Sequence, residues 1–440
     1  MHQDRYGLQI STVSQVAAAT YRDGLDRILS AWTGAGEALD RALLEDPDFA
    51  VAYIARARVH QIYGEAVEAR AKAAQARSLA ATTTKRERQH VEIIASAIEG
   101  QPKAALAAAE QHLDEFPRDA LVLSLLLGAF GLYAFSGRAD HDAARVAICE
   151  RHARHYGEDW WFLTYLGWSH TEVGNHGAGR TITEFALSLR RENGNAAHAL
   201  SHALYEQGDT AAGNAFLSDW LPAYDRGSFL NGHLSWHFAL LALGSDDVDT
   251  ALEIYEKRIR PTVSEKPPLP PLNVFTDSAS LLWRLSLAGK AGLEPYWRDV
   301  ATYSDRMFPR AGVHFADVHW ALVAVATQRE DFDQRLAELE TLQASGKLAP
   351  GRPVIELCQG IRAFANGDYE AAILAFEPLI PAITKIGGSH AQRELYEDTY
   401  IVACLRSGHP DKAKQIISRR LDHRPSTNEP WLRQAHFIPS

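Results

Sequence analysis

Ile98-Glu-Gly100-Gln-Pro-Lys-Ala-Ala105 is the stretch whose reading decides the fold. A helix ends on Gly100, which enters the left-handed conformation without a Cβ penalty. A second helix follows. Its Ala105, five residues past the glycine, is small enough for the two helices to press together. Pro117 stands where that second helix should stop. The unit recurs: Gly64, Gly100, Gly137, Gly174, Gly208 and Gly244 are separated by 36, 37, 37, 34 and 36 residues. The small residue recurs as Ala69, Ala105, Gly179 and Gly213, and again as Ala372 and Ala413 after Gly367 and Gly408.

Self-similarity at this step marks stacked helical hairpins, each burying its core against its neighbours. The glycine, the small residue and the exit proline resemble the tetratricopeptide pattern. The fold read from it is all-α: an α-solenoid of tetratricopeptide-like hairpins forming a curved superhelix. It is a single domain over 1–440 of about ten hairpins. The first hairpin is read near Ala35–Pro47. The ladder is irregular over 245–366. Gly289 comes 45 residues after Gly244, and the turn near Gln328-Arg-Glu330 has no glycine. The proline-rich run Glu265–Leu272 predicts a long extended loop. Residues 424–440, with Trp431, Phe437 and Ile438, read as a capping tail. Alternating β-branched text closed by Asn-Gly or Asp-Gly is almost absent.

Apolar residues make up 46% of the chain and charged residues 23%, enough for a continuous core. The net charge of −10 argues against nucleic acid and against anionic lipid, which need a basic footprint. Cys149, Cys358 and Cys404 are far apart and form no CxxC pair, which suits a reducing compartment. The first residues lack a signal-type apolar core, and no run reaches the roughly 18 apolar residues of a membrane span. The expected location is cytoplasmic.

The ladder also serves as a ruler. His198 and His202 lie ten and six residues before Gly208; His233 and His237 lie eleven and seven before Gly244. Asp277 lies twelve before Gly289, and Asp317 and His319 about twelve and ten before the turn at Arg329. Equivalent positions on first helices line one inner surface of a solenoid. Each histidine pair has i, i+4 spacing and shares a helix face. Trp236, Trp320, Trp283 and, one unit earlier, Trp160, Trp161 and Trp168 stand nearby. The expectation is a concave pocket of imidazole, carboxylate and indole. Any one of these histidines has an ordinary reading as a hydrogen-bonded structural group, and the tryptophans as fillers of helix interfaces.

Within that pocket His237 and His319 are the candidate general bases, with Asp277 and Asp317 to orient them. His198, His202, His233, Trp236 and Trp168 are the candidate ligand-binding residues. His-x-x-x-His on a helix is half of a zinc site, but the catalytic form carries Glu after the first His. Ala199 and Leu234 stand there instead, so no residue is assigned to a metal, and the sequence names no cofactor. Ser201 and Ser278 have no elbow motif, and Cys358 has no base in its own repeat. Gly387-Gly-Ser-His-Ala-Gln-Arg393 opens a helix that Ser389 can cap; Gln392 and Arg393 there are candidates for contact with an anion. Thr84-Lys-Arg-Glu-Arg-Gln-His90 reads as a capped helix start with a solvated charged face.

Taken in order, these pieces resemble the tetratricopeptide repeat protein 38 family, as a bacterial-type member. The resemblance rests on the Thr84–His90 run, His198-x-x-x-His202, His233-x-x-Trp236-His237, Asp277-Ser278, Phe315-x-Asp317-x-His319 and the Gly387–Arg393 run. It covers most of the chain. It implies a tetratricopeptide-like fold and supplies no activity. The chain departs from the pattern at His390, where Asn is expected, and at Leu204, where a further His is expected.

The functions left open are three. One is binding of a small polar or peptide-like ligand in the concave His/Asp/Trp pocket. Another is a protein–protein scaffold without catalysis, as repeat arrays often are, although the inner helices lack the repeated Lys, Arg and Asn of a peptide-carboxylate grip. The last is a metal-dependent or His/Asp acid–base hydrolase or lyase.

Overall fold

A computed structural model describes residues 2–264, 268–424 and 431. The glycine turns join antiparallel pairs of helices. Ala50–Ile62 packs on Ala66–Ala80, Lys85–Ile98 on Pro102–Glu115, Trp160–Glu172 on His176–Leu189, and Gly194–Glu206 on Thr210–Trp220. Asn231–Gly244 with Val248–Ile254, Pro271–Leu287 with Glu294–Met307, and His314–Ala326 with Phe332–Ala344 continue the series. Arg352–Ala365 with Tyr369–Phe376 and His390–Arg406 with Pro410–His423 complete it. The chain is an all-α helical-repeat protein. Strand structure among the described residues is slight: His2–Gln3 pairs antiparallel with Gln9–Ile10.

Several expectations are corrected. The array begins earlier than Ala35, because Gln15–Leu29 forms a hairpin with Ala35–Glu45. Gly244 is not a left-handed turn residue: the helix runs through it, and Asp246 takes the positive φ of 63°. Gln328, at φ 54°, does the same work where glycine is absent. The proline run is not extended to Leu272, since Pro271 is the first helical residue, where a missing N–H costs nothing. Glu265, Lys266 and Pro267 lie outside the described residues, as does the capping tail apart from Arg424 and Trp431. The run after Thr84 is not a solvated face. Its capping box with Glu87 is present, but Arg86, Glu87 and His90 are buried. Asp119 collects Arg86 at 3.1 Å, His90 at 2.9 Å and His112 at 3.1 Å.

Irregularity also occurs where the ladder is regular. The helix Ala120–Leu127 stops after eight residues, and the chain crosses a loop with Gly128 and Gly131 before Ala134–Ser136. This break lets distant repeats touch. A Cβ on Gly137, at φ 78°, would lie 2.2 Å from the Ala349 carbonyl oxygen, so only glycine permits that approach. Nearby, Phe130 packs on Phe315 at 5.2 Å, the Gly388 N–H donates to the Ala129 carbonyl at 3.1 Å, and His141 Nε2 meets the Thr384 carbonyl at 2.9 Å. At the other end Gly194 N–H donates to the Ser30 carbonyl at 2.8 Å and Asn195 to Leu29 at 2.9 Å. The superhelix is thus wound tightly enough that successive turns meet.

The apolar core has two large parts, one over residues from Tyr6 to Phe229 and one from Trp236 to Trp431. Between them Gly194–Glu206 and Asn231–Gly244 contribute to a small cluster with Ala197, Leu217 and Leu234. Among the described residues no helix is long and apolar enough to cross a membrane.

Candidate functional site

Two neighbouring first helices build the site. Gly194–Glu206 starts on Asn193, whose side chain accepts from the Ala196 N–H at 3.0 Å. From it His198 and His202 project on one face, toward His233 and His237 on Asn231–Gly244. His198 Nε2 lies 3.0 Å from His202 Nε2 and 3.1 Å from His233 Nε2. The ring of His237 sits 4.4 Å from His202, 4.9 Å from His233 and 5.2 Å from His198. One ring nitrogen from each of the four falls within 4.8 Å of the others. These are the residues with donors to hold a metal ion. The sequence offered two i, i+4 halves of such a set at one level of neighbouring first helices, where they were expected to share a pocket.

Carboxylates flank the cluster. His233 Nδ1 lies 2.9 and 3.0 Å from the two oxygens of Asp277. His202 Nδ1 faces Glu172 Oε1 at 3.2 Å. Glu172 also accepts from the His390 N–H at 2.8 Å. Burial raises the Glu172 carboxyl, but the hydrogen bond and charge of His202 outweigh it and hold the group at about 2. Burial pushes the Asp277 carboxyl up, against the pull of His233 and Arg284. It also drives the imidazoles of His198 and His237 well below the usual histidine range, and the neighbouring histidines add to this. Both rings are therefore neutral at neutral pH. His237 is 1% exposed, and neither of its nitrogens has a partner.

Indole rings wall the cluster. Trp236 stacks on His233 at 5.3 Å and donates its N–H to Ser280 at 3.1 Å. Trp168 lies 6.3 Å from His198 and 6.1 Å from His202, with Arg145 behind it at 4.1 Å. Trp160, Trp283 and Trp320 serve elsewhere: Trp160 stacks against Arg5 and Arg190, Trp283 donates to Thr399, and Trp320 packs on Phe332.

The other candidates lie apart. Asp317 is tied to Arg335, at 2.6 Å from Nη2 and 3.0 Å from Nε, and accepts from the Gly312 N–H at 3.0 Å. His319 donates from Nδ1 to the Phe315 carbonyl at 2.7 Å. Neither has a hydrogen bond or ring contact to the four histidines. Arg393 is not free for an anion: it pairs with Asp142 at 3.0 Å and donates to the Gly388 carbonyl at 2.5 Å. Gln392 completes the Ser389 capping box and lines the cavity.

That cavity has a volume of about 560 Å³. His198 and His233 reach it, while His202 and His237 stay behind them. Trp161, Trp168, Phe130 and Phe229 give it aromatic walls. Arg58 brings a cation that the sequence reading missed. It donates to Gln61 Oε1 at 2.6 Å and forms no ion pair among the described residues; burial pulls its guanidinium down to about 10, with Tyr165 opposing. Glu172 was missed too. Its sequence signal was a carboxylate two residues before the turn glycine, a position that Glu206 repeats before Gly208.

No protein-family model matches the chain. Among solved structures it is similar to yeast Tom70, at 14% identity over 96% of this chain and 94% of that one, with a TM-score of 0.35. It is also similar to a human IFIT1 dimer with m7Gppp-AAAA, at 13% identity over 96% and 97% of the two chains, with a TM-score of 0.44. At these identities the likeness concerns architecture alone.

Proposed function

We propose that this chain is a tetratricopeptide-repeat-38-like protein that binds a small molecule or short peptide with an anionic group in the cavity beside Arg58 and His198. The observation that carries the reading is Arg58. A guanidinium beside a cavity, without a carboxylate to answer it, is matched by a ligand carboxylate or phosphate through paired N–H donors. The aromatic walls suit an apolar or planar body on the same ligand. Asn195, Asn273 and Gln392 add neutral hydrogen-bonding groups around it. The three buried, unpaired cysteines accord with a cytoplasmic setting.

The reading is tested by thermal-shift screening of the full chain against small carboxylates, phosphates and dipeptides. Compounds that raise the melting temperature should lose at least about tenfold in affinity with Arg58→Gln, the worth of one charge-assisted contact. Binding of the same compounds that Arg58→Gln leaves unchanged would overturn it.

A further inference from the structure

The four-histidine cluster is built in a way that ordinary hydrogen bonding does not explain. A neutral imidazole has one N–H and one lone pair. His233 donates its Nδ1–H to Asp277, and Glu172 faces Nδ1 of His202 at 3.2 Å. In the neutral form of the cluster, Nε2 of both rings is then a lone pair directed inward. His198 Nε2 stands 3.0 Å from one and 3.1 Å from the other. It has at most one proton to offer. One of these two close contacts is therefore lone pair against lone pair. His237, fully buried beside them, has no partner on either nitrogen. Four side chains thus converge with more acceptors than donors, and what they lack is a positive centre.

We propose that His198, His202, His233 and His237 bind one borderline divalent transition-metal ion, of which zinc is the type. Neutral imidazole nitrogens are the donors this class prefers, whereas magnesium and calcium take oxygen. A ligand imidazole whose second nitrogen donates to a carboxylate is the usual outer arrangement of such sites; here His233 donates to Asp277, and His202 Nδ1 stands 3.2 Å from Glu172. Charge also balances. The ion's two positive charges would be matched by Glu172 beside His202 and Asp277 beside His233. Size fits as well. Tetrahedral bonds of about 2.0–2.1 Å place the nitrogens about 3.3–3.4 Å apart. The two shortest separations must widen by a few tenths of an ångström, and the widest must close by no more than about 1.4 Å, within reach of ring rotation. An ion held there would face the cavity between His198 and His233. The inference rests on the cluster alone and stands whether or not Arg58 recruits an anion.

The test is a cobalt(II) titration of the untagged full chain after chelator treatment and dialysis into metal-free buffer, followed by visible absorption. The expected result is the intense band of four-coordinate cobalt, saturating at one equivalent and displaced by zinc. His202→Gln and His237→Gln should abolish it, and the surface variant His409→Gln should keep it. Glu172→Gln should retain the band with affinity lowered about 10–100-fold. Circular dichroism checks that each variant is folded; if the ligand variants are not, the band and stoichiometry of the unaltered chain decide. Weak six-coordinate absorption rising without saturation, or a band that survives His202→Gln, would overturn the proposal.

Discussion

Asp317→Asn separates a structural carboxylate from a catalytic one. Asp317 is wholly buried and Arg335 is 6% exposed. Asp317 Oδ1 accepts both Arg335 bonds and Oδ2 accepts from the Gly312 N–H; Arg335 has one further acceptor, the Phe308 carbonyl at 2.9 Å. In the asparagine variant one oxygen can still accept, but the amide N–H₂ must face either the Gly312 N–H or the guanidinium, donor against donor. The positive charge of Arg335 is left without a counter-charge. Charge-assisted bonds are worth about 1.5–3 kcal/mol each, and breaking one side of a buried pair typically costs about 3–5 kcal/mol. A loss of at least about 3 kcal/mol is expected, a large part of the 5–15 kcal/mol that holds an ordinary domain. Burial pushes the Asp317 carboxyl up in spite of Arg335, so the pair is not itself a strong stabiliser. The double variant Asp317→Leu/Arg335→Met should therefore recover most of the loss. Urea unfolding followed by circular dichroism measures both. A loss below 1 kcal/mol for Asp317→Asn, or a double variant worse than the single, would refute the reasoning.

Gly137→Ala should cost markedly more than Gly100→Ala. Both glycines have φ near 80°, a penalty of about 1 kcal/mol for alanine, but only at Gly137 would the new Cβ meet a backbone carbonyl, that of Ala349. Unfolding free energies from urea titration should differ by about 1–3 kcal/mol, and equal values would mean that the two superhelical turns do not touch there. Acid should loosen the N-terminal repeats through Asp119. Burial raises its carboxyl, but His90 and Arg86 outweigh this and hold it well below the usual range. Its contribution is complete above the unfolded value of about 3.9 and fades as pH falls below that. Stability measured from pH 6 to 2 should fall less steeply in Asp119→Asn, already weaker at neutral pH, than in the unaltered chain.

The fold was legible because a tight helical hairpin needs one left-handed residue, and glycine fills that place at least cost. The ladder misled where Asp246 and Gln328 do that work instead. Asp317 meets Arg335 on the second helix of its own hairpin, and His319 turns back on the Phe315 carbonyl, so neither joins the four histidines. The pairs His198/His202 and His233/His237 were visible as helix faces, and their meeting followed from the stacking of adjacent first helices. Arg58 and Glu172 were not visible as site residues. Arg58 reaches the cavity from the second hairpin, and only the winding of the superhelix, set by contacts such as Gly137 with Ala349 and Gly194 with Ser30, brings it there.

The most direct test of the central claim is long-range ¹H–¹⁵N correlation NMR of the chain labelled at histidine, recorded metal-free across pH with single-histidine variants for assignment. The account predicts His202 and His233 in the Nδ1–H form, and His198 and His237 still neutral when the pH is lowered through the usual histidine range. Four imidazoles that each titrate near 6.5 with mixed tautomers, as separate solvated side chains do, would contradict it.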